Sequence, residues 1–218
     1  MFKKIFVKPV EGEGGYGIII FHLSVDNRYI NDNKVELSEM FLLNIGKKNN
    51  YIIQAGVIQD QSITRIYPSS VNTFRITTEN IKGEVRVICS VLRIGRQGKE
   101  VDNASQNGIV LGINHSTGVC KEYAISEEGE NFYKHPDSQF VFANYKIREW
   151  DIIKNYTIDC ASKLPQFTYL GWDIALTKEG PIAIETNLEF AIDLYQIALG
   201  GLRQDFEIND PNSFWRNK

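Results

Sequence analysis

The sequence has no run of about 18 apolar residues, so nothing in it reads as a membrane-spanning helix. Its start, MFKKIFVKPV, has basic residues but neither an apolar h-region nor a small-residue cleavage site, so no signal peptide is expected. Cys89, Cys120 and Cys160 are odd in number, widely spaced and without a CxxC pair. They are expected to be reduced thiols of a cytoplasmic protein, serving neither a metal nor a disulfide. Neither sign of charge dominates, and the net charge of −3 gives no reason to expect nucleic acid or an anionic membrane as partner. Internal repeats, low-complexity tracts and obvious linkers are also lacking.

What is present is an ordinary globular composition. The 218 residues are 43% hydrophobic, enough for one large domain or two small ones whose core needs no disulfide support. KKIFVKPV and GIIIFHLSV read as strands around a Gly-rich turn, and VELSEMFLLNIG has helical spacing and ends at a glycine. Strand-like runs follow in YIIQAGVIQ, SITRIY, NTFRITT, EVRVICSVLRIG and GIVLGIN, punctuated by Asn, Gly and Pro. REWDIIKNYTIDCASK and FAIDLYQIALGGL are helical in pattern, on either side of a hairpin. Strands and helices do not alternate as a doubly wound parallel sheet requires, so the fold class is α+β with mostly antiparallel strands.

GEGGYG, residues 12–17, matches GxGxxG letter for letter. A dinucleotide fingerprint must open a helix, whereas the residues that follow here, IIIFHLSV, favour a strand. No GK[ST] follows either, so a Walker A loop is excluded. A glycine-rich hairpin with Lys8 just before it remains. It is either a flexible surface turn or a backbone able to approach phosphates closely.

GWDIALTKEGPIAIETN, residues 171–187, carries Asp173, Glu185 and Asn187 inside apolar runs. A three-residue loop Lys178–Gly180 pairs Thr177 with Pro181, Ala175 with Ala183 and Asp173 with Glu185, and puts Asn187 on the same face. Two opposed carboxylates repel unless a cation lies between them or one is protonated. Asp, Glu and Asn offer the oxygen ligands that suit Mg²⁺ or Mn²⁺. The spacing equally allows a hairpin whose polar face is simply wet. Arg75 in NTFRITT and Arg93 in VLRIG lie in strands, where an exposed surface charge is common. Asp102 and Asn103 have turn character, and His135 and Asp137 in HPDS point to a structured turn rather than to catalysts.

Taken together, VKPV with its glycine hairpin and the downstream D-x11-E-x-N resemble the ATP-grasp superfamily. The match is closest to the sugar-transfer associated ATP-grasp proteins found near polysaccharide biosynthesis genes. The blocks FVKPVEGEGGYGI, YIIQAGVIQ, SVNTFRITT, LRIG, VDN, HP, GWDIALTKEGP and IETN run in the family's order across nearly the whole chain. The resemblance implies an ATP-grasp fold of two antiparallel lobes, residues 1–58 and 59–218, enclosing ATP and Mg²⁺ (or Mn²⁺). It implies that Lys8 contacts the α- or β-phosphate and that Gly12, Gly14, Gly15 and Gly17 form a flap over the triphosphate. Residues of IIQAGV form the hinge, where the Ala55 carbonyl and Val57 N–H read the adenine edge with Gln54 nearby. Gln61 lies toward the ribose, where the superfamily commonly has an acidic residue. Arg75 and Arg93 neutralise charge on the transferred phosphoryl group, Asp173, Glu185 and Asn187 hold the metal, and Asp102 and Asn103 face the substrate.

The activity so implied is an ATP-dependent ligase joining a carboxylate to an amine through an acyl-phosphate, with a place in cell-surface polysaccharide biosynthesis. The acceptor is a small-molecule or sugar-linked carboxylate. The same scaffold also admits a kinase acting on a hydroxyl, or a non-catalytic nucleotide-binding fragment. The last arises because the chain opens at the ATP-binding lobe, and the N-terminal domain that usually precedes it is expected to be absent. Asn107 and Asn114 are departures, since the family's pattern has a glycine and an aspartate there. Oligomeric state has no signal in the sequence.

Overall fold

A computed structural model of the chain describes residues 2–11, 15–202 and 206. They form two compact units, Met1–Ile58 and Gln59–Lys218. The first holds strands β1 (Lys4–Pro9), β2 (Ile19–Leu23) and β3 (Tyr29–Ile30), helix α1 (Glu39–Gly46) and strand β4 (Tyr51–Ala55). The strands make one antiparallel sheet in the order β3-β2-β1-β4. Alternation gives that sheet two different faces. Val7 and Phe21 are fully buried, and Phe21 meets Phe41 of α1 edge-on at 5.2 Å. Ser38 caps α1, its hydroxyl accepting from the Phe41 N–H at 3.2 Å.

The second unit runs α2 (Gln61–Thr64), β5 (Phe74–Ile81), β6 (Glu84–Ile94), β7 (Ile109–Ile113), β8 (Cys120–Ser126), β9 (Asn131–Phe132), α3 (Trp150–Ser162), β10 (Tyr169–Thr177), β11 (Gly180–Asn187) and α4 (Ile192–Leu199). Seven strands form a sheet in the order β11-β10-β5-β6-β7-β8-β9, antiparallel throughout. One face carries Phe74, Ile76, Leu92, Trp172 and Ile174 against Trp150 and Ile153 of α3. The other carries Cys89, Val91 and Val110 against Tyr195 and Ala198 of α4. The α+β class with antiparallel sheets and few helices is therefore the observed one.

Two local expectations change. SITRIY is not a strand: Asp60 accepts from the Ser62 N–H at 2.8 Å and caps the short helix α2, so capping overrides the β-branched composition. The β10–β11 turn has two residues, Lys178 and Glu179, with Thr177 paired to Gly180, which adopts φ +120°. Thr177 Oγ1 accepts from the Glu179 N–H at 3.1 Å and donates to the Gly180 carbonyl at 2.8 Å, tightening the turn. Ile174 then opposes Ala183, and a register shift follows before Asp173 meets Glu185. A bulge at Ile184 thus restores the carboxylate pair that the tighter turn would have displaced.

Both asparagine departures have conformational reasons. Asn107 sits at φ +69°, a left-handed position that asparagine tolerates and glycine occupies freely. Asn114 Oδ1 accepts from the Ser116 and Thr117 N–H groups at 3.0 and 3.1 Å, an Asx turn that aspartate would make equally well.

Candidate functional site

Strand β10 supplies the centre of the site. Leu170, Trp172 and Ile174 point into the α3-side core, so alternation turns Gly171 and Asp173 toward the α4 side. A Cβ on Gly171 would fall on Phe190, which is why glycine stands there. Asp173 pairs across to Arg75 of β5 and, on its other side, to Glu185 of β11.

Asp173 is only 4% exposed, and its carboxylate is gripped by two guanidinium groups. Arg75 donates to it through both Nε and Nη2, the latter at 2.8 Å. Arg93 of β6 donates to Oδ2 at 3.0 Å and, from its other terminal nitrogen, to Asp102 at 2.9 Å. The Asp102 carboxylate also accepts from the backbone N–H of Thr73 at 2.9 Å and from the Thr73 hydroxyl. The buried Arg93 and the largely buried Arg75 therefore alternate with two buried carboxylates in one chain, as burial of charge demands.

The electrostatics follow from that chain. Burial by itself would raise the Asp173 pKa, but the Arg93 charge, the hydrogen bonds and charge of Arg75, and a hydrogen bond shared with Glu185 outweigh it. The carboxyl therefore titrates below its ordinary 3.8. Burial pulls the other way on Arg75, and Asp173 holds it firmly protonated. Beneath the pair, the fully buried phenol of Tyr195 on α4 faces Thr77 and feels both Arg75 and Asp173, and its burial pushes it well above 10.

Glu185 and Asn187 lie on β11 beside this network, with the Asn187 amide donating to Glu185 at 3.3 Å. Two carboxylates opposed across paired strands mark a place a cation can take. Two carboxylates and an amide oxygen are hard donors, and Mg²⁺ commonly takes only one or two carboxylates from protein. The donor set fits such a cation, with Asp173 contributing lone pairs left over from its arginines.

Asn103 serves a turn: its carbonyl accepts from the Gln106 and Gly108 N–H groups at 2.9 and 3.0 Å. His135 is likewise structural. Its Nε2 donates to the Gly95 carbonyl at 2.8 Å, and Nδ1 accepts from the N–H groups of Asp137 and Ser138. Burial of this neutral ring lowers its pKa.

In the first unit, Phe6, Lys8, Ile20, Ile52 and Gln54 share the sheet face opposite the Val7 and Phe21 side. Ile52 is 48% exposed, and the Lys8 ammonium lies 5.9 Å from the Phe6 ring centroid. An open apolar face with a cation at one end fits a planar, anionic ligand. Ala55 ends β4, and Val57 follows Gly56, whose N–H donates to the Lys4 carbonyl at 2.8 Å. Gly15 and Gly17 both adopt φ +76°, whereas Gly12 and Gly14 lie outside the described residues. Gln61 opens α2 and belongs to the second unit.

Sequence reasoning missed Thr73, Tyr195 and Gly171. The first adjoins Arg75 in the NTFR run, and the third adjoins Asp173 in GWD, so motif context could have raised both. Tyr195 reads as one apolar position of an amphipathic helix and gives no separate signal.

A family model described as sugar-transfer associated ATP-grasp matches residues 1–207. No curated protein matches the chain.

Proposed function

The chain belongs to the sugar-transfer associated ATP-grasp family, and from that premise we propose that it is an Mg²⁺-dependent ligase using ATP to join a carboxylate to an amine. Family membership implies an ATP-dependent enzyme with a sugar-transfer association. The acyl-phosphate route and a sugar-linked carboxylate acceptor in polysaccharide biosynthesis are the finer parts of the proposal. The observation that carries it is the Asp173–Glu185 carboxylate pair beside Asn187, set against the buried Arg93 and the largely buried Arg75.

When bound, ATP supplies the transferable phosphoryl group and the cation offsets charge on its oxygens. Glu185 and Asn187, with Asp173, hold the cation. Arg75 and Arg93 are fixed in direction by Asp173 and Asp102, so their fields need no reorganisation as negative charge develops. Asp102 and Asn103 act on the substrate side by shaping the turn and holding Arg93. Lys8 meets a phosphate oxygen, the sheet face of Phe6 and Ile52 supports the adenine beside Gln54, and the Ala55 carbonyl and Val57 N–H read its edge. Gln61 completes the ribose contact, and the glycines from Gly12 to Gly17 cover the phosphates.

Calorimetric titration of Mg–ATP tests the reading. Glu185→Gln is expected to weaken binding at least roughly tenfold, about 1.4 kcal/mol. Failure of the wild-type chain to bind Mg–ATP would sink the proposal. A stable phosphoester product in place of ADP, phosphate and an amide would make the enzyme a kinase.

A further inference from the structure

Phe74 and Ile76 of β5 point into the α3-side core, so alternation turns Arg75 and Thr77 together toward α4. On that side Tyr195 packs in the cluster of Cys89 and Val91, and Cys89 is the cross-strand partner of Thr77. Thr77 and Tyr195 are fully buried. The Thr77 Oγ1 and the Tyr195 hydroxyl face each other, yet neither makes a hydrogen bond among the described residues. The phenol also lies within the field of Arg75 and Asp173.

Buried polar atoms are nearly always satisfied. Phenylalanine and valine would fill the same space with no oxygen to strand. Both oxygens are closed to water, so a partner for them has to be a protein group. Arg75 is the polar group of that face with donors to spare. Its guanidinium carries five N–H groups. Asp173 engages Nε and Nη2, and Nη1 donates to nothing among the described residues. Asp173 in turn serves three donors, Nε and Nη2 of Arg75 and Nη1 of Arg93. A cation held by Asp173 would compete with those donors for the same two oxygens and repel the guanidinium. Arg75 then needs acceptors on its own side of the sheet.

We propose that Tyr195, with Thr77, is a positioning residue for Arg75: the two hydroxyls accept from the guanidinium when a divalent cation draws on Asp173. They hold Arg75 in direction before negative charge develops on a transferred phosphoryl group. Burial keeps the phenol protonated, so it serves as a hydrogen-bonding group and not as a base. The inference rests on the cation site of the ligase reading and adds to it the residues that keep Arg75 from being stranded there.

The test pairs two measurements on the full chain: urea unfolding without ligand, and calorimetric titration with Mg–ATP at fixed salt. Tyr195→Phe keeps the ring and removes an unpartnered oxygen, so its ligand-free unfolding midpoint should equal or exceed that of wild type. Its affinity for Mg–ATP should fall roughly tenfold, the size of one hydrogen bond to a charged group. Thr77→Val should move both readings in the same directions. A merely structural tyrosine would instead lower the midpoint and leave binding by the folded chain unchanged. In an Arg75→Met background, Tyr195→Phe should cost no further affinity, because the phenol acts through Arg75. Unchanged Mg–ATP affinity in Tyr195→Phe overturns the positioning role while the cation site stands. A lower ligand-free midpoint overturns it too, since the hydroxyl is then already bonded without the cation, as does a further loss in the Arg75→Met background. Failure of wild type to bind Mg–ATP removes the ligase reading itself, and the positioning role with it.

Discussion

Replacing Asp173 with asparagine keeps the shape of the side chain and removes the one charge among the described residues with which the Arg75 guanidinium pairs. Asp173 accepts from Arg75 Nε and Nη2 and from Arg93 Nη1. Arg93 keeps Asp102 at 2.9 Å, so the stranded cation is Arg75, whose side chain is only 12% exposed. Removing one partner of a buried ion pair costs about 3–5 kcal/mol, and with one of the two arginines still paired the lower end applies, about 3 kcal/mol. That is a large part of the roughly 5–15 kcal/mol by which a domain is stable. Urea unfolding followed by the fluorescence of the buried Trp150 and Trp172 should show the midpoint falling by roughly 1–3 M, for a slope of about 1–3 kcal/mol/M. Adding Arg75→Met should recover part of the loss, because no cation is then left unmatched. Acid gives a second readout. The folded Asp173 pKa lies below 3.8, so its contribution is complete above that value and drains away as pH falls through it toward the folded pKa. The asparagine variant lacks that component. A loss under about 1 kcal/mol, or a double variant less stable than Asp173→Asn, would refute the account of the network as a coupled charge chain.

Further outcomes follow from single positions. Gly171→Ala should destabilise the second unit by about 1–3 kcal/mol in the same urea assay, because its Cβ would displace Phe190. Asn107→Gly should be within about 0.5 kcal/mol of wild type, whereas Asn107→Val should cost about 1–3 kcal/mol at φ +69°. His135 has a folded pKa below 6.5, so its share of stability is complete above 6.5 and declines as pH falls through that value. A His135→Gln variant should flatten that part of the pH–stability curve.

The two antiparallel sheets were legible because β5, β6, β7 and β10 are long runs of Val, Ile, Leu and Thr, and tertiary packing agrees with their local preference. β8 was not, since Lys121 and Glu122 sit side by side in a strand beside a two-residue neighbour, which breaks clean alternation. α2 was misread because β-branched residues outweighed one capping aspartate in the sequence pattern. The Asp173–Glu185 pairing was read correctly from a wrong turn. The loop is one residue shorter than the spacing suggested, and the Ile184 bulge adds that residue back. A bulge leaves no mark in an apolar run, so the register of this hairpin was recoverable from the three polar residues and not from counting. Arg75 and Arg93 looked like surface charges because a strand pattern cannot show that two arginines and two aspartates, up to 98 positions apart, meet in one chain of charges.

The charges of that chain constrain what the site can attract. Arg75 and Arg93 are balanced by Asp173 and Asp102, so that four-residue chain carries no net charge. A triphosphate near it would meet oriented guanidinium dipoles but no net positive field from these residues. A divalent cation adds two units of positive charge at the point where Glu185 and Asn187 offer oxygen. On the proposed reading, nucleotide affinity should therefore depend on the divalent cation far more than on pH near neutrality, because the arginines stay charged throughout. Titrating ATP with and without Mg²⁺ at two pH values separates these dependences. Tight binding of metal-free ATP would show that the arginines do release their carboxylates to the phosphates, and would turn Asp173 from a metal ligand into a placeholder for the nucleotide.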